Sequence, residues 1–242
     1  MNNREKFLQT WTSDRKFFNA SQLKILACIF MLISHIAQTG YIFVLGYEKT
    51  YYPMMILGRI SFPIFCFFIA QGLVLTSNAK KYLLRLLLFA LVSEIPFDLA
   101  FYGRINPLAQ NVFFTLFLGA GLIYSLIRIE ERALDRTAEV FSYILLLILF
   151  MSISILLRTD YSYRGVLAMF LLYLGRNKKL YTVLALLVGF YFEAHLYGVV
   201  YLAIIFLYFY NGKRGNMNKW AFYLFYPGHL LLIYFLMNHV TY

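Results

Sequence analysis

The sequence predicts an all-α, polytopic transmembrane helical bundle of about nine spans with its N-terminus in the cytoplasm. Three observations predict it. Of 242 residues, 62% are hydrophobic, 20% aromatic and 14% charged, whereas an average soluble domain is about 25% charged. A soluble domain of this composition would lack the polar residues to cover its own surface. The apolar residues gather in runs of span length, and the basic residues gather between the runs on one side. These features exclude a soluble enzyme, a disordered chain and a conventional DNA-binding domain. The net charge of +11 therefore calls for a membrane face and for no nucleic acid.

Residues 1–22 are polar and mixed in charge, and read as a cytoplasmic N-terminal segment. The first apolar run, 23–44, is long enough to span and to act as an uncleaved insertion signal. The runs 54–75, 82–101, 111–127 and 140–157 follow, each of span length. The runs 163–174 and 180–191 are short, as tilted, broken or partly re-entrant segments would be. The runs 196–210 and 220–237 complete the set. Turn formers punctuate the connections at Ser77-Asn78, Asn106-Pro107, Gly175-Arg176-Asn177 and Asn211-Gly212. No linker or repeat divides residues 23–242, which read as a single membrane domain.

Orientation follows from the basic residues in alternate loops. With the N-terminus inside, the cytoplasmic side receives Arg4, Lys6, Arg15, Lys16 and Lys24 first, then Lys80, Lys81 and Arg85. Arg128, Arg132 and Arg136 follow, then Arg176, Lys178 and Lys179, and last Lys213, Arg214 and Lys219. Seventeen cations lie inside, against Lys49, Arg104, Arg158 and Arg164 outside, with Arg59 within a span. The alternation holds at every loop, which implies an odd number of spans and an external C-terminus.

Ionisable residues inside spans are costly and point to function. Lys24 and His35 are eleven positions apart, about 1100° of helical rotation, so they share one face with roughly 16 Å of rise between them. Lys24 falls at the cytoplasmic rim and His35 near mid-membrane, with Ala27, Cys28 and Met31 on the same face. A structural account has Lys24 snorkelling and His35 bonded to a neighbouring helix. A functional one runs a ligand along a groove from the cation to the imidazole. Arg59 in the second span, with Glu94 and Asp98 in the third, would form an ion cluster at matching depth. Glu94 and Asp98 are i and i+4, with Pro96 between them. In a catalytic version a carboxylate orients His35, and Arg59 organises an acceptor or a developing charge.

In the last span, His229 follows Tyr226-Pro227-Gly228, where a helix break suits protein or a wet cavity. Asp160 with Arg164, and Glu193 with His195, would frame an outer entrance if they are more than solvated loop charges. Lys24, Lys80, Lys81 and Arg85 would suit a polyphosphate ligand arriving from the cytoplasm. Cys28 and Cys66 sit in apolar runs with no zinc-type spacing, and the residues offer no metal site. Tyr47, Tyr51, Tyr52, Tyr208 and Tyr210 suit interfacial belts. The chain has no P-loop, GxGxxG, GxSxG or HExxH motif.

Several stretches resemble the TraX family: LKILACIFMLISHI (23–36), GRISFPIFCFFIAQG (58–72), NAKKYLLRLLLFALVSEIPFDL (78–99), QNVFFT (110–115), the Thr159-Asp160-Tyr161 to Gly165-Val166 segment, and FYPGHL (225–230). The resemblance is ordered and covers most of the chain from Leu23 onward. A looser similarity links Lys24 and His35, with ten residues between them, to the first helix of the acyltransferase-3 membrane family. One departure stands out. Relatives are expected to carry an acid before the histidine and a glycine soon after it, as in DHIG, whereas this chain reads Ser34-His35-Ile36-Ala37.

The TraX resemblance implies a bacterial plasma-membrane acetyltransferase moving an acetyl group from cytoplasmic acetyl-CoA to an amine or hydroxyl. The phosphates would lie near Lys24, Lys80, Lys81 and Arg85, and the pantetheine arm would reach His35, the general base. Glu94 or Asp98 would set the imidazole tautomer, and Arg59 would pair with them or steady the acceptor. His229 and Asp160 are lower-ranked substrate candidates. A pilin-like or other peptide N-terminus follows from the TraX resemblance, a surface glycan from the acyltransferase-3 similarity. The alternatives are an ion- or proton-coupled transporter, and a non-catalytic membrane component of a secretion or conjugation system.

Overall fold

A computed structural model describes residues 3–12, 17–193, 195 and 198–240. Arg15 and Lys16, counted above in the basic rim, lie outside the described residues. Among the described residues the structure is helical, with isolated bridges at Phe18–Tyr210 and Gln110–Thr159 in place of any sheet. In chain order the helices are α1 (Asn3–Trp11), α2 (Ala20–Gln38), α3 (Tyr41–Val44), α4 (Tyr51–Gly58), α5 (Ser61–Leu75) and α6 (Ala79–Tyr102). They continue with α7 (Val112–Glu130), α8 (Arg136–Leu156), α9 (Ser162–Leu174), α10 (Lys179–Gly189), α11 (Leu202–Tyr208) and α12 (Lys219–Val240).

Among the described residues each of the nine apolar runs contains helix, although not every run is one uninterrupted helix. Five stretches are long and apolar enough to cross a membrane: Ala20–Gln38, Glu48–Leu75, Val112–Glu130, Arg136–Leu156 and Lys219–His239. α9, α10 and the Val199–Tyr208 segment are shorter apolar helices. α6 has the length, but Lys80, Lys81, Arg85, Glu94 and Asp98 dilute its apolar character. The first run stops being α2 at Gln38, because Gly40 takes a left-handed φ of 87° before α3 resumes. The second run is two helices. α4 closes at Gly58, Arg59 and Ile60 form a tight turn, and Pro63 stands in the first turn of α5, where its missing N–H costs no helical bond.

The chain divides into two compact units. One comprises Met1–Thr10, Cys66–Leu91 and Pro107–Gly189. In it α9 packs against α7, α8 and α10. Asn111 caps α7 by accepting from Phe113 N–H at 3.0 Å, and its amide donates to the Ala90 carbonyl at 2.8 Å, tying the cap to α6. Asp135 caps α8 by accepting from Thr137 and Ala138 N–H. Arg176 is buried at the end of α9 and donates to both carboxylate oxygens of Glu130, at 2.8 and 3.0 Å. α8 exposes Phe141, Leu145, Ile148 and Leu149, an apolar stripe suited to lipid acyl chains.

The other unit comprises Trp11–Phe65, Val92–Asn106 and Phe190–Tyr242. Here α2 packs along α4 and against α12. Asn19 and Gln22 form a reciprocal capping box at the start of α2. The Ala20 and Ser21 N–H groups donate to the Lys213 and Arg214 carbonyls, at 2.9 and 3.1 Å, so the loop before α12 is fastened to the first turn of α2. The crossing of α2 and α4 is close because Gly58 has no side chain to place there.

Candidate functional site

The site is built around His35, in the last turn of α2, and it lies wholly within the second unit. The half-buried His35 ring places Nδ1 2.7 Å from Nε2 of His229 on α12. The two imidazoles are almost parallel, at 11°, with centroids 5.0 Å apart. Phe101 of α6 and Tyr226 of α12 meet His35 edge-on, at 5.4 and 5.9 Å. His35 Nε2 has no hydrogen-bond partner among the described residues.

His229 is buried, and its other nitrogen, Nδ1, lies 2.6 Å from the carbonyl oxygen of Phe225, one turn earlier in α12. The Phe225 ring stacks on it at 4.7 Å. The helix runs through Pro227 without ending, so the residues Tyr226 to His229 that suggested a break instead present an aromatic and an imidazole to α2. The expectation from sequence was that Glu94 or Asp98 would orient His35; the nitrogen concerned is taken by His229.

Asp98 is 2% exposed, and its Oδ2 accepts from the Asn106 backbone N–H at 2.8 Å, closing the turn that follows α6. Its Oδ1 is buried without a hydrogen bond among the described residues. Glu94, one turn earlier, is half-buried. Arg59 occupies the turn between α4 and α5, with Nε 3.4 Å from Glu193 Oε2 and Nη1 donating to Oε1 at 3.5 Å. Sequence reasoning paired Glu193 with His195 at an entrance, yet His195 is exposed and turns its Nδ1 to the Phe192 carbonyl at 2.9 Å. A signal for the Arg59 partner did exist, because Glu193 is the sole acid after Asp160.

Lys24 is half-buried on the same helix as His35, with Nζ 5.5 Å from the centre of the Phe222 ring. Arg214 lies close enough to repel it, so two cations share the cytoplasm-facing end predicted for α2. Sequence reasoning passed over Arg214 because it counted the residue as orientation signal alone. Lys80, Lys81 and Arg85 belong to the first unit. The two lysines are exposed in the first turn of α6, and Arg85 lies over the Tyr82 ring at 5.6 Å. Asp160 is also in the first unit. Its backbone N–H donates to the Gln110 carbonyl at 2.9 Å, and its carbonyl accepts from the Thr115 hydroxyl.

Ser34, at the position where an acid was expected from the TraX resemblance, is 3% exposed. It accepts from the Gln38 amide and reaches the Met55 carbonyl at 3.4 Å, within the α2–α4 crossing. Chemically, the arrangement offers a ring nitrogen with a free lone pair or proton, held by a second imidazole, with a guanidinium–carboxylate pair in the same unit.

The family model described as TraX protein matches residues 19–237. The chain is 28% identical over 239 residues to the probable fimbrial assembly protein FimC, serogroup H1, of Dichelobacter nodosus, covering 89% of this chain and 94% of that protein. No solved structure matches it.

Proposed function

The chain belongs to the TraX family, and from that premise we propose that it is a membrane-embedded acetyltransferase with His35 as general base. The observation that carries the reading is the His35 ring itself. It is bonded at one nitrogen to His229 and has no hydrogen bond at the other among the described residues, which is what a base awaiting a proton needs. Acetyl-CoA enters from the cytoplasm with its phosphates near Lys24, and the pantetheine arm follows the α2 face toward His35. The acceptor nitrogen attacks the thioester carbonyl while His35 removes its proton. Arg59, held by Glu193, steadies the acceptor or the developing oxyanion. The Dichelobacter nodosus relative is a probable fimbrial assembly protein, which favours a pilin-like peptide N-terminus over a glycan as acceptor. The protein is read as a bacterial plasma-membrane protein of nine spans, N-terminus in and C-terminus out.

The test is label transfer from acetyl-CoA to an N-terminal peptide amine by purified protein in proteoliposomes. His35→Ala, with the fold retained, is expected to lose about 10²–10⁴-fold of turnover. Unchanged turnover in that variant removes His35 from the mechanism. Gradient-driven flux without release of CoA would favour the transporter reading instead.

A further inference from the structure

We propose that His229 is a positioning residue which, with the Phe225 carbonyl, fixes His35 as the Nδ1–H tautomer, makes Nε2 the basic nitrogen, and shares the proton taken from the acceptor. The inference rests on the acetyltransferase reading for its catalytic consequence, and on hydrogen-bond geometry alone for the tautomer.

A carbonyl oxygen accepts and never donates. At 2.6 Å from Phe225 O, His229 Nδ1 must therefore carry its proton. A neutral imidazole has one N–H, so His229 Nε2 holds a lone pair. That lone pair faces His35 Nδ1 at 2.7 Å, and two lone pairs at that distance would repel. His35 Nδ1 therefore donates, and His35 Nε2 is left with the lone pair. The direction of every bond in the chain is set from its far end, by a backbone atom of α12 that cannot change its role. The nearly parallel rings, at 11°, suit transfer between the two nitrogens.

The same chain has capacity for one proton. As the acceptor amine attacks, its N–C bond forms and its proton moves to His35 Nε2. The Nδ1 proton can then move to His229 Nε2, spreading the positive charge over two rings. When the C–S bond breaks, the path reverses: His229 returns the proton to His35 Nδ1, and His35 Nε2 gives its own to the CoA thiolate. Atoms and charge balance with no further reactant. His229 touches neither substrate in this scheme and acts through His35.

The chain has four histidines, so nitrogen NMR of histidine-labelled protein in lipid nanodiscs can be assigned by replacing them singly. The expected spectrum has His35 protonated at Nδ1 and bare at Nε2, with a nitrogen–nitrogen coupling to His229 across the hydrogen bond. A proton on His35 Nε2 in the wild-type protein overturns the proposal, whatever the activity. His229→Gln keeps an acceptor near the Nε2 position but cannot take up the proton, and is expected to retain the tautomer with kcat about three- to tenfold lower. His229→Leu removes the acceptor and is expected to lose the tautomer, with kcat about ten- to a hundredfold lower and KM for acetyl-CoA unchanged. Equal spectra and kcat in the Leu and Gln variants would also overturn it. If His229→Leu fails to fold, the wild-type and Gln spectra still decide. If no acetyl transfer is found at all, the acetyltransferase reading fails while the tautomer result stands.

Discussion

Gly58 lies so close to Ser34 that a Cβ on the glycine would fall 2.0 Å from the serine's own Cβ. The two residues meet in the α2–α4 crossing, one position before His35 and one before Arg59. Gly58→Ala is expected to lower stability by about 1–3 kcal/mol through overpacking and to shift His35 relative to His229. Thermal unfolding in detergent, together with the nitrogen coupling between the two rings, measures both effects.

Ser34→Asp recreates the acid expected from family resemblance, but in this protein it meets a buried site walled by Gly58. A carboxylate there is buried with little room beside Gly58, so the substitution is expected to destabilise by about 1–3 kcal/mol. It should not raise turnover. A gain in activity with unchanged stability would show that the site has space for the acid.

Arg59 and Glu193 form a partly buried pair, with side-chain exposures of 21% and 12%. Removing either partner leaves the other charge poorly solvated, so Glu193→Gln alone should cost more stability than the Arg59→Gln, Glu193→Gln double variant relative to Arg59→Gln. A coupling energy of about 1–3 kcal/mol is expected from the double-mutant cycle.

In the first unit, Arg176 stacks on the Tyr173 ring at 3.8 Å, donates to the Tyr173 carbonyl at 2.8 Å and pairs with both oxygens of Glu130. Tyr143 donates to the same carboxylate at 3.0 Å. Lysine cannot reproduce the planar fork and the stacking together. Arg176→Lys should therefore lower the unfolding temperature, at a cost of about 2–4 kcal/mol, while leaving the His35–His229 coupling in place.

Lys24→Glu is expected to raise KM for acetyl-CoA about tenfold or more while kcat stays within about threefold, as for a residue that binds the donor without taking part in the chemical step. A Lys24 that serves only to anchor the helix end would leave KM unaltered. A reporter fused after α12 tests the nine-span topology: activity of an external reporter is expected, and activity of a cytoplasmic one would require an even number of crossings.

By itself the sequence determined that this is a helical membrane protein, because composition and run length are sums over neighbouring residues and need no knowledge of the fold. It also placed Lys24 and His35 on one face, since 3.6 residues per turn relates positions within a single helix. The breaks at Gly40 and Arg59 were signalled by glycine and proline but hidden inside continuous apolar runs. The tertiary structure decided what each face meets. His35 finds His229 from 194 positions away, and Arg59 finds Glu193 from 134, where sequence reasoning had turned first to the nearer acids of α6. The helical period tells which side chains share a stripe. Which stripe faces which depends on how closely two backbones can approach, and here Gly58 against Ser34 sets that distance.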